Sequence, residues 1–67
     1  MFIFSFDIIF GNQRTGETET IRKEYCHCDW YEALDQVTAF VKEELKRRYE
    51  ELGKCDWYLD SIKSYLA

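Results

Sequence analysis

The chain has a single histidine, three glycines and three cysteines among its 67 residues. It has no apolar run near the roughly 20 residues a helix needs to cross a membrane. Each scarcity excludes something. His27 is the only histidine, and no nucleophile stands at a spacing that would make it a general base. The glycines Gly11, Gly16 and Gly53 fall where a turn and a helix end are expected, which leaves no glycine-rich loop to cradle a phosphate. No paired-carboxylate or Ser/His/Asp arrangement stands out, so the chain reads as a non-enzyme with no cofactor. The cysteines form no Cys-x-x-Cys motif. Their odd count, without a secretion signal, fits a reducing cytoplasm. The apolar opening from Met1 to Phe10 lacks a basic leader and a small-residue cleavage site, and Asp7 interrupts it, so it is not a signal peptide.

Basic charge is also scarce. The net charge is −4, with 9 basic and 13 acidic side chains. Residues 29–53 hold 7 acidic side chains against 4 basic ones, so the acidity concentrates in one segment. A general nucleic-acid binder needs a basic footprint, and none is expected here. What the chain has in quantity is aromatic mass: five Phe, five Tyr and two Trp, within 46% hydrophobic residues. That is far from the composition of a disordered chain. The length suits one small domain, residues 1–67, with little core to spare. The chain starts at Met1 and shows no linker, repeat or low-complexity run, so it reads as a complete small gene product.

Residues 2–10 alternate as a strand, with Phe2, Phe4, Phe6, Ile8 and Phe10 on one face and Ile3, Ser5, Asp7 and Ile9 on the other. Residues 11–16 have turn composition, and 17–28 read as a second strand. Pairing Gly11 with Gly16 sets Phe6 opposite Ile21, Phe2 opposite Tyr25, Ser5 opposite Arg22 and Asp7 opposite Thr20. A slip of one residue would turn Arg22 and Glu24 toward the phenylalanines. Asp29 and Glu32 then have the spacing of a helix N-cap and its third residue. A helix is expected from Trp30 to Leu52, stopped by Gly53 in a left-handed cap. Its apolar stripe is Trp30, Ala33, Leu34, Val37, Val41, Leu45 and Leu52, with Phe40 at the margin. The expected core is Phe2, Phe4, Phe6, Ile8, Ile21, Leu34, Val37, Val41 and Leu45.

The last segment supports two readings. At helical period Tyr58, Leu59, Ile62, Tyr65 and Leu66 cluster; at period two the apolar residues divide between both faces. Periodicity favours a second helix, whereas the short length and the Trp, Tyr and Ile content favour a strand. The run Glu51-Leu52-Gly53 followed by Trp57-Tyr58-Leu59-Asp60-Ser61-Ile62 resembles the helix-to-strand junction of small bacterial and phage ββαβ domains of unknown function. It departs from that pattern at Asp56 and Asp60. The resemblance implies a strand. A long helix reverses the chain, so this third strand runs beside the first. The expected fold is α+β, a ββαβ unit with a three-stranded antiparallel sheet of order 2-1-3 and one helix packed on one face.

Cys26, His27, Cys28 and Cys55 are possible zinc ligands. In this topology Cys55 lies at the opposite end of the sheet from the others, so no metal site is expected within one chain. Glu44 and Arg48, four residues apart, fall inside the helix's apolar stripe. They read either as a surface ion pair where the helix overhangs the core or as a polar contact with a partner. One helix cannot cover both sides of the sheet. The open side carries Ile3 and Ile9, joined by either Trp57, Leu59 and Tyr65 or Tyr58, Ile62 and Leu66 from the third strand. The expected function is protein interaction, with self-association as a homodimer through the open face or an edge strand. Ile3, Ile9, Trp57, Leu59, Tyr65, Glu44 and Arg48 are the candidate partner-binding residues. The alternative is a small acidic phage or mobile-element protein that occupies the basic surface of a nucleic-acid-handling host complex.

Overall fold

The computed structural model describes residues 3–26, 29–52 and 56–66. Four elements follow one another: β1 (Ile3–Asn12), β2 (Thr18–Cys26), α1 (Trp30–Leu52) and β3 (Trp57–Leu66). The three strands form one antiparallel sheet in the order β2-β1-β3. The last segment is therefore a strand, and the ββαβ fold is as the sequence leads one to expect.

The β1–β2 register differs from expectation by two residues. Phe4 faces Tyr25, Asp7 faces Arg22, Ile8 faces Ile21 and Gly11 faces Thr18. A shift of two preserves every side chain's face, so the apolar pattern alone could not distinguish the two registers. The turn decides between them. Gly11 and Asn12 belong to the strand, and Asn12 carries the turn chemistry. Its Oδ1 accepts from the Arg14 and Thr15 amides at 2.9 and 3.0 Å. Gly16 then takes a φ of 77°, in the left-handed region that costs a residue with a Cβ roughly 1–2 kcal/mol.

Asp29 caps α1 as its sequence position implies, accepting the Glu32 amide at 2.9 Å. The acidic N-cap meets the positive end of the helix dipole. The helix covers the even-numbered side of β1. Phe4, Phe6, Ile8 and Phe10 are buried there beneath Ala33, Val37 and Val41. Trp30 adds ring contacts of 5.6 Å to Phe4 and 5.7 Å to Phe6. Ile21, Tyr25, Leu34, Phe40, Leu45 and Trp57 pack around this core and are partly buried. Phe10 and Ala33, which the expected core omits, are fully buried: Phe10 because β1 continues two residues past it, and Ala33 because the apolar stripe of α1 faces the sheet there. Phe2, His27, Cys28, Gly53, Cys55 and the side chain of Leu52 lie outside the described residues.

Phe6 is 1% exposed at the middle of this layer. Phe6→Ala is expected to cost about 3–5 kcal/mol, since the cavity forms between sheet and helix where neither can collapse easily. Urea unfolding measures it, and a loss under about 1 kcal/mol would contradict the core assignment.

Candidate interaction surface

β3 is an edge strand with a break in its alternation. Ile8 faces Ile62 and Ile9 faces Ser61, but Phe10 faces Leu59, so Asp60 is an extra residue with no partner on β1. Such a bulge reverses which residues face which side. Trp57, Leu59 and Ile62 consequently lie opposite Asn12, Phe10 and Ile8 on the helix side, while Tyr58, Ser61, Lys63 and Tyr65 lie on the open side. The sequence offers two parities for β3, and the structure uses one on each side of Asp60. Of the candidate residues from β3, Tyr65 is on the open face. Trp57 and Leu59 are on the helix side, and Trp57 packs against the core.

The open face is less apolar than its isoleucines suggest. Arg22 donates to both oxygens of Asp7 at 2.8 and 3.2 Å, and its guanidinium lies 5.5 Å from the Tyr65 ring centroid. The Arg22 fork holds the Asp7 carboxyl below its usual range, with the Tyr65 hydroxyl and the Lys63 charge acting in the same direction. Ile3 and Ile9 sit on either side of this polar centre, Ile3 exposed and Ile9 half-buried. Tyr58 lies over Gly11: a Cβ there would come within 2.7 Å of its ring and hydroxyl. Glycine at this position gives the ring its seat.

The helix side of β3 has the opposite character. A helix about 10 Å wide covers the middle of a sheet roughly 15 Å across. At its margin Leu59 and Ile62 remain 38% and 39% exposed. Among the described residues, the large apolar side chains left exposed are Ile3, Trp30, Tyr31, Tyr49, Tyr58, Leu59, Ile62 and Tyr65. Half of them belong to β3. Beside that strand, Phe4, Trp30, Ser64 and Tyr65 line an open notch of about 390 Å³.

Glu44 and Arg48 occupy a different place from the surface overhang that the sequence suggests. Both are enclosed in the fold, their side chains 11% and 7% exposed. Arg48 donates to Glu44 at 3.0 Å and to Glu19 of β2 at 2.8 Å. Its guanidinium lies 5.0 Å from the Phe10 ring centroid and 4.5 Å from that of Trp57. Arg47 also donates to Glu44 and bridges onward to Glu51. These contacts, from Arg47 first and then Arg48, hold the Glu44 carboxyl below its usual range against the opposing effect of burial. The cluster joins elements of one chain: Arg48 and Glu44 are its enclosed part, while Arg47, Glu19 and Glu51 reach the surface. Sequence spacing shows the Glu44–Arg48 pair, but no sequence signal shows that Glu19 and Trp57 converge on it.

Cys26 ends β2 and is exposed. It lies opposite Ile3, whereas the start of β3 lies opposite Asn12, about 30 Å away along β1. His27, Cys28 and Cys55 are outside the described residues. Among the described residues no group of three metal-ligating side chains comes together, and no helix is long and apolar enough to cross a membrane.

Two outcomes are expected. Arg48→Ala should cost about 2–3 kcal/mol by removing two cation–π contacts and the link to Glu19, with Arg47 still neutralising Glu44. Arg48→Lys should recover only part of this, since an ammonium cannot stack between rings. Urea midpoints that match wild type would refute the joint. The depressed Glu44 carboxyl contributes stability above its unfolded pKa of about 4.3, and that contribution is lost as pH falls through the lower folded value. Stability should therefore decline below about pH 4.5, and Glu44→Gln should make the decline shallower. A Glu44→Gln variant with the wild-type pH slope would contradict this.

No family model, curated protein or solved structure matches this chain. The likeness of its helix-to-strand junction to the small bacterial and phage ββαβ domains thus rests on those residues alone.

Proposed function

We propose that this chain is a non-enzymatic protein-interaction module that associates with itself. One observation carries the reading: half of the large apolar side chains left exposed among the described residues lie on β3, a ten-residue strand at the edge of the sheet formed by the described strands. Such an edge offers a row of backbone donors and acceptors, and proteins commonly blunt or cover it. Here it is flanked by Leu59 and Ile62 on one side and Tyr58 and Tyr65 on the other. Backbone pairing supplies affinity in this mode of recognition and the alternating side chains supply selectivity. The open face contributes less, because the Asp7–Arg22 pair would have to be desolvated by anything that lay flat on it.

Sedimentation equilibrium over a wide concentration range tests this. The expected result is a mass that rises from 8.1 kDa toward twice that value. A mass that stays at 8.1 kDa up to millimolar concentration would overturn the reading.

A further inference from the structure

The exposed groups of β3 make the strand complementary to itself. We infer that a second copy of this chain pairs antiparallel with β3 about a two-fold axis through Ile62, joining two three-stranded sheets into one of six strands. The inference rests on the proposed self-association and specifies its partner and register.

Residues paired across antiparallel strands must lie on the same face. Around Ile62 this is met by Ser61 opposite the partner's Lys63. Beyond them Asp60 is skipped, as it already is against β1. Leu59 then faces the partner's Ser64, and Tyr58 faces the partner's Tyr65. Every one of these pairs matches in face, provided that the partner strand passes over Asp60 as β1 does. Without that skip Leu59 would meet the partner's Tyr65, which lies on the other side of the sheet.

The contents of this register are complementary as well. Two Ile62 side chains, each 39% exposed, meet on the helix side at the axis. Leu59, also exposed on that side, is delivered to the partner's Ser64, which lines the notch with Phe4 and Trp30. An apolar projection on one copy thus meets an apolar recess on the other, twice. On the open side Tyr58 and Tyr65 form two cross-strand aromatic pairs. Lys63 lies opposite the partner's Ser61 and beside the partner's Asp60, a charge match that the symmetry repeats. Centring the axis on Lys63 would instead oppose two lysines, which is destabilising.

The contact is small. Ten strand residues give an edge about 33 Å long, and a sheet with its side chains is about 10 Å thick, so about 330 Å² per copy is covered, in the range of weak, reversible association.

Sedimentation of wild type and three variants, with circular dichroism to confirm folding, tests the register. Ile62→Arg is expected to weaken association about a hundredfold by burying two charges at the axis. Asp60→Lys, at an exposed position, is expected to weaken it about tenfold by opposing the partner's Lys63. Ile9→Glu, on the open face, should leave it unchanged. Cross-linking supplies a readout independent of affinity. In a chain with Cys26, Cys28 and Cys55 replaced by Ser, Ile62→Cys should form a linked dimer under mild oxidation, since directly opposite residues have Cα atoms about 4.5–5.5 Å apart. Leu59→Cys should not, being about 16 Å from its symmetry mate. A dimer that survives Ile62→Arg but is lost with Ile9→Glu would overturn the two-fold pairing and leave self-association standing. Equal cross-linking at both positions would overturn the register. A wild type that stays monomeric would overturn both the pairing and the self-association beneath it.

Discussion

The guanidinium of Arg48 is where the four elements of this small domain are held to one another. It leaves α1, stacks near Phe10 of β1 and Trp57 of β3, and reaches Glu19 of β2. The apolar layer that begins at Trp30 and Phe4 ends at this point. A further aliphatic side chain could fill the space but could not also engage a carboxylate from β2. A planar cation does both, since its faces accept aromatic rings while its edges donate in plane. Glu44 completes the arrangement and is itself shared with Arg47. A chain with so little core gains here a joint that is specific in direction as well as favourable in energy.

From that joint follows the contrast between the two sides of the sheet. With α1 secured over the middle of the helix side, β3 lies at its margin, and Leu59 and Ile62 stay partly in water. The open side has no helix and meets water with charge, through Asp7, Arg22 and Lys63, and with two tyrosines at its ends. The domain is thus amphipathic across its third strand rather than across its broad faces.

Much of this was legible in the residues. The Asp29 cap, the extent of α1, the strand order and the faces of β1 from Ile3 to Phe10 follow from patterns local to one element or from the direction in which a long helix returns the chain. The β1–β2 register was not, because two registers two residues apart bury the same side chains, and Gly11 resembles a turn residue. Its actual role, as a seat for the Tyr58 ring, depends on a strand almost fifty residues away. The facing of β3 was hidden by one residue. With Asp60 bulged, the helix side takes Trp57, Leu59 and Ile62, a spacing that is neither two nor 3.6. Strict alternation therefore does not describe this segment, and a helical period fits its apolar residues better. Of the candidate interaction residues, Glu44 and Arg48 were visible as a pair. Their enclosure was not, because it depends on partners contributed by three strands.

The order in which the strands meet has a consequence for how the domain assembles. β1 and β2 are joined by a tight turn and can pair within microseconds of one another. The β1–β3 ladder, from Asn12↔Trp57 to Phe4↔Leu66, links positions about 50 residues apart and must wait for the intervening helix. During that interval the central strand has one edge bare. The segment that fits it is β3, and a neighbouring chain's β3 fits it equally well. At high concentration the last step of folding is therefore a competition between closing on oneself and exchanging strands, and the same residues that complete a monomer can tie two chains together.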